Sequence, residues 1–242
     1  MEEQEIREWL DQNNRQLLSD IEAILPVRFT IWREDCYACQ VHKDDVGKDS
    51  EAEIFYKEPI SQPKIAHELL HVKTGLVLGN NGIMFTVPSP SIMLDALLSN
   101  AEGIGNVCEH LIFFPDYLAM GYDEVDSFEP TEDLDDRLNE LSGLARDGLK
   151  ENGKYSQTKV STYLGLIFSF LFYPNEKRFS NEIKQLKRID FPLFSRINKL
   201  RIACKDLDID PNNRAFIQRA YYDFAVEMND WFMKAFPNVN LA

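Results

Sequence analysis

The chain has 242 residues, 44% hydrophobic and 27% charged, a globular balance with enough apolar material for one large domain or two modest ones. Its 26 basic and 40 acidic residues give a formal net charge of −14, which argues against a surface that neutralises nucleic-acid phosphates or docks on an anionic membrane. The acidic, polar opening MEEQEIREWLDQNNRQ does not read as a secretory leader, and the dispersed cysteines Cys36, Cys39, Cys108 and Cys204 suit a reducing cytoplasm.

Apolar residues at Ile6, Trp9, Leu10, Leu17, Leu18, Ile21 and Ile24 predict one helix over Glu2–Leu25, closed by Pro26. Three runs rich in β-branched and aromatic residues follow: Val27–Arg33, Cys36–Val41 and Ala52–Lys57. Polar and Gly-bearing turns separate them, so they predict a small antiparallel sheet. A helix should begin near Pro63 and end at Gly75, since proline suits the first turn and glycine the exit. A Gly/Asn/Pro loop covers Val77–Pro90, and a second helix should run from Ser91 to Phe114 and stop at Pro115. The rest reads as helices over Thr131–Glu151, Ser156–Phe172, Asn181–Ile189, Pro192–Lys205 and Pro211–Phe236. The most apolar stretch, YLGLIFSFLFY from Tyr163 to Tyr173, is too short to span a bilayer and reads as a buried core helix. There is no internal repeat or low-complexity tract.

The chemistry is carried by HELLH, His67 to His71. Residues four apart on a helix share one face, so two imidazoles at that spacing can hold one zinc ion. Glu68 lies roughly 100° round the helix from His67, where it can hydrogen-bond a zinc-bound water rather than bind the metal. Zinc lowers the pKa of that water, and the carboxylate takes its proton as the water attacks a carbonyl. The surrounding Ile65, Ala66, Leu69, Leu70 and Val72 are apolar, and unpaired polar groups on such a helix are costly. Two surface histidines on an amphipathic helix are the bland alternative.

A catalytic zinc site needs a third protein ligand and an open position. The second helix offers Glu102, Asn106 and Glu109 within roughly 60° of one another, with His110 somewhat further round. Here the chain resembles the ImmA/IrrE-like metallopeptidases. They carry HExxH followed by a helix of the form E-x-E-A-N/D-x-F-A-x-x-L-L-M-P. The segment from Glu102 through Asn106 to Pro115 keeps the leading Glu, the Asn four later, the apolar run and the terminal Pro. The resemblance implies Glu102 as third zinc ligand, 31 residues after His71 (102 − 71), and Asn106 as a residue that orients a ligand. The chain departs from the pattern at Ile104-Gly105 and at Cys108-Glu109, with His110 next. Glu109 and His110 are therefore rival ligands.

The expected fold is α+β: a small zincin-like sheet with the HExxH helix and a ligand helix over residues 1–125, then an all-helical domain over 126–242. The acidic stretch Asp123–Asp136 marks the boundary. The expected activity is zinc-dependent hydrolysis of a peptide bond in a specific cytoplasmic protein. The family resemblance implies a narrow target, often a DNA-binding repressor, and the strand before the motif would hold an extended substrate as an added strand. The competing readings are a binding module that keeps the peptidase fold without catalysis, and a hydrolase of a small non-peptide amide. Lesser signals are the Cys36–Cys39 pair, which strand geometry points to opposite faces, and three possible oxyanion donors, His110, Tyr117 and Tyr163. The aromatic residues Phe168, Phe170, Phe172, Tyr221, Tyr222, Phe224, Trp231 and Phe232 read as helix-packing core.

Overall fold

A computed structural model describes residues 3–31, 37–79, 103–128, 134–175 and 177–237. The protein is α+β: one three-stranded sheet among helices, followed by a region of helices interrupted by a two-residue-per-strand hairpin. The chain divides into two compact units, residues 1–81 with 113–129, and residues 82–112 with 130–242.

In the first unit, the single helix expected at the N-terminus is two, α1 (Glu3–Trp9) and α2 (Gln12–Glu22). Asp11 breaks them. Its backbone is extended, and its carboxylate accepts from the Asn14 N–H, a cap that starts a new helix. The sheet comprises β1 (Val27–Ile31), β2 (Ala38–Lys43) and β3 (Asp49–Tyr56), in the order β1-β3-β2. It is mixed rather than antiparallel: β1 runs parallel to β3, with Val27 beside Ala52, and β2 runs antiparallel, with Cys39 beside Ile54. Turn-like segments separate strands but do not dictate their direction, and β1 reaches the far side of β3 because β2 lies between them in sequence.

That order corrects one functional expectation. The strand before the motif, β3, is central and paired on both sides, so it has no edge for a further strand; the edges belong to β1 and β2. Alternation puts Val27, Phe29, Ala52, Ile54 and Tyr56 in the core. On the other face, the nearly buried Glu53 carboxylate accepts from Thr30, meets His42 Nε2 at 2.9 Å and pairs with Arg28 at 3.0 Å, tying all three strands.

Helix α3 (Gln62–Leu78) carries the motif and runs one turn past the expected stop. Gly75 sits inside it, and the exit is Gly79, whose φ of 75° suits glycine. Its start is clamped. The Asn14 side chain donates to the Gln62 backbone oxygen and Oε1, the Asp11 N–H donates to Gln62 Oε1, and Gln62 Nε2 donates to the Trp9 oxygen. Tyr37 takes the Ser61 N–H and donates to the Lys57 oxygen, bracing the turn from β3.

Helix α4 is described from Ile104 to Ala119 and begins after Gly103, whose φ is 72°. It continues through Pro115 instead of stopping there, for proline removes one backbone donor but its φ fits a helix. The boundary between the units falls inside this one continuous helix, between Ile112 and Phe113. The expected earlier part, Ser91 to Glu102, lies outside the described residues. A 3-10 turn, Glu124–Asp126, ends the first unit's described chain, with Asp123 and Asp126 capping it reciprocally.

The second unit holds α5 (Leu134–Asp147), a hairpin of β4 (Lys150–Glu151) and β5 (Lys154–Tyr155), α6 (Gln157–Phe170), α7 (Ser180–Ile189), α8 (Phe191–Lys205) and α9 (Arg214–Ala235). The hairpin was not expected, although Asn152-Gly153 is its signal: both have positive φ, 51° and 79°. The apolar stretch is the core helix expected, with Tyr163, Leu166, Ile167 and Phe170 buried on α6. The buried Tyr163 hydroxyl bonds the Leu186 and Asp190 oxygens. Asp190 in turn caps α8 at Leu193 and accepts from Tyr155. Among the described residues, no helix is long and apolar enough to cross a membrane.

Candidate metal centre

Helix period places His67 and His71 on one side of α3, and their Nε2 atoms lie 3.1 Å apart. Two nitrogens that each bind one zinc ion at tetrahedral angles should sit about 3.4 Å apart, given bond lengths near 2.05 Å. The helix alone therefore holds the pair close to the spacing of two ligands. The ring of Phe113, on α4, meets both imidazoles edge to face, at 5.5 Å from His67 and 4.8 Å from His71. Phe128 closes on His67 at 4.9 Å. These rings restrict the imidazoles to the rotamers that converge.

One turn before Phe113, on the same helix, is His110. One ring nitrogen each from His67, His71 and His110 lies within 4.8 Å of the others, close enough to hold a metal ion. All three are imidazoles, donors suited to zinc and other borderline transition metals. The electrostatics agree. Loss of hydration holds the His71 pKa down to about 3, and desolvation, then the charge of His71, hold His67 well below the usual range. Both imidazoles are thus neutral at pH 7, the form that ligates.

Glu68 is buried beside them. Desolvation pushes its carboxyl up to about 7, and a hydrogen bond from the Cys39 side chain pulls the other way. A carboxyl titrating near neutrality can accept a proton and give it back.

The fate of the expected residues is mixed. His67, Glu68 and His71 lie together as the motif predicted. Glu102 lies outside the described residues, so its role is not described. Of its two rivals, His110 is in the metal group found among the described residues and Glu109 is not. Glu109 is buried, its carboxyl pushed up to about 8 by desolvation, and its charge acts on Cys108 and Tyr221. A step of one residue turns a helix by about 100°, which suffices to give the two neighbours different surroundings. Asn106 is exposed and makes no hydrogen bond to another described residue, so the ligand-orienting role expected of it has no contact behind it. Two oxyanion candidates are otherwise engaged: Tyr117 donates to Ser127 Oγ, and Tyr163 is bonded within the helical core.

Sequence reasoning missed Cys39, Phe113 and Phe128. Cys39 was legible only as a half-buried strand cysteine, and its partner Cys36 lies outside the described residues. Phe113 carries a signal in retrospect, since it follows His110 by three residues on one helix face. A scan against protein-family models, a search of curated proteins and a search of solved structures each find no match.

Proposed function

We propose that the chain is a zinc-dependent peptidase in which His67, His71 and His110 hold the metal and Glu68 is the general base. The observation that carries this reading is the convergence of three neutral imidazoles beside a buried carboxyl of raised pKa. A buried group of that kind on a helix is destabilising unless it has a task, and HExxH is a spacing that suits this one. The resemblance to the ImmA/IrrE-like metallopeptidases points the same way, and we read the sheet with α3 and α4 as a zincin-like arrangement.

Bound zinc would supply Lewis acidity, lowering the pKa of water and polarising a carbonyl. The chain's own residues do the rest. His67 and His71 stay neutral because their surroundings exclude water, so they compete for no proton at the metal. Glu68 takes the proton of the attacking water and hands it to the nitrogen of the leaving amine, which balances the hydrolysis. Phe113 and Phe128 exclude water from one side of the imidazoles. The substrate is a protein segment in extended form. Of the two sheet edges, β2 is the one whose residue Cys39 touches Glu68, so an added strand there would present its backbone to the base.

Two measurements test this. The purified protein should contain about one zinc per chain. A mixture of quenched-fluorescent peptides should be cleaved, and Glu68→Gln should keep the zinc while losing at least about 100-fold in kcat/KM. Equal cleavage by Glu68→Gln and the parent would sink the assignment.

A further inference from the structure

The residue nearest the proposed base that the motif does not account for is Cys39. Its place follows from strand register. Cys39 pairs with Ile54 across the antiparallel β2–β3 ladder, and directly opposed residues share a face. Ile54 is fully buried in the core, so Cys39 points to the same side, where α3 packs across β2. Its thiol meets the carboxylate of Glu68 there, in the one side-chain hydrogen bond that Glu68 makes to a described residue. Cys39 itself is half-buried, not part of the packed interior. A half-buried strand position against a helix is filled as well by valine or alanine, and neither of those can donate.

We propose that Cys39 is a positioning residue for Glu68, its thiol donating to one carboxylate oxygen and leaving the other free to accept a proton. The inference rests on the reading of Glu68 as general base. A carboxylate next to a helix backbone can rotate about its last torsion, which is broad and nearly two-fold. A donor fixed on a strand removes that freedom, so the accepting oxygen is held where the water must be. A thiol is suited to the task because it is a weak donor: it orients the carboxylate while withdrawing little of its basicity. The thiol keeps its own proton throughout. The proton that Glu68 accepts comes from water and leaves on the amine, so Cys39 is unchanged after each turnover. No metal is needed for the contact, which belongs to the chain itself.

The contact can therefore be read in metal-free protein. An infrared difference spectrum between the parent and Cys39→Ser isolates the S–H stretch of Cys39. That band should lie at lower frequency in the parent than in Glu68→Gln, where an amide replaces the carboxylate as acceptor. An unmoved band overturns the proposal. The kinetic arm uses the zinc-loaded protein and the peptide mixture. Cys39→Ala should lower kcat by about fivefold to tenfold with KM, zinc content and melting temperature unchanged, and Cys39→Ser should restore most of the loss. Parental kcat in Cys39→Ala, beside a Glu68→Gln protein that is inactive, overturns the positioning role alone. Alanine and serine variants that fall together with a lowered melting temperature also overturn it, for the side chain would then be packing only. Parental activity in Glu68→Gln is the separate failure of the hydrolase reading, and it removes the base that Cys39 would position.

Discussion

Helices α3 and α9 are both long and both largely buried, yet they bury different things. On α9, the buried positions are Ile217, Tyr221, Phe224, Ala225, Met228, Trp231 and Phe232, a single stripe at offsets of three and four that is apolar or aromatic throughout. On α3, burial reaches round the helix, and Glu68, His71 and Thr74 are buried among Ile65, Leu69, Leu70 and Val72. A stripe like that of α9 is explained by burial of apolar surface, at roughly 25 cal/mol for each Å² removed from water. The polar groups of α3 work against the same accounting, because each must give up hydration. Where a helix departs from the cheapest way of packing, the departure marks the chemistry. Here it marks the three imidazoles and the carboxyl beside them.

The sharpest way to break this contrast is to remove the ligands. His71→Ala should cut zinc affinity by at least about 100-fold, measured by competition with a chelating dye, and His110→Ala should do the same if the third ligand is the histidine. Parental affinity in His110→Ala would return the third position to Glu102 or Glu109. On the α9 side, Phe232→Ala removes a fully buried ring and should cost about 3–5 kcal/mol in chemical denaturation. A loss under about 1 kcal/mol would mean that α9 is not the packed core element its stripe implies.

The smallest expected effect concerns Glu109, which shares α4 with His110. Its folded pKa is raised above the ordinary 4.5 to about 8, so the folded protein holds a proton there that the unfolded chain releases. The contribution to stability is full below pH 4.5 and is lost as pH rises through 8. Glu109→Gln has no charge to bury. Metal-free Glu109→Gln should therefore lose less stability than metal-free parent between pH 6 and pH 9, the difference being on the order of 2 kcal/mol. Parallel pH profiles of melting temperature for the two proteins would show that the Glu109 side chain reaches water.

The chain read alone was sufficient wherever the deciding interactions are local. HELLH works because the helix repeat sets the spacing of His67 and His71, and no distant residue is needed to bring them to 3.1 Å. Strand runs and later helices were legible within a few residues for the same reason, since alternation and the 3.6-residue period belong to neighbouring positions. The breaks that failed were those of competing local signals. Asp11 outweighed the continuous apolar pattern from Ile6 to Ile24, and the single Pro115 did not end α4.

Partnership across the chain was another matter. Glu109 and His110 are adjacent in sequence and equally able to ligate zinc, and only the packing around α4 sends one to the helical core and the other toward the motif histidines. The direction of β1, the central place of β3 and the meeting of Cys39 with Glu68 depend likewise on which strands pair, over separations of about 15 to 30 residues. Local spacing carries the information for a metal-binding helix. The third ligand and the thiol beside the base are set by contacts between segments whose mutual placement no single stretch of sequence encodes.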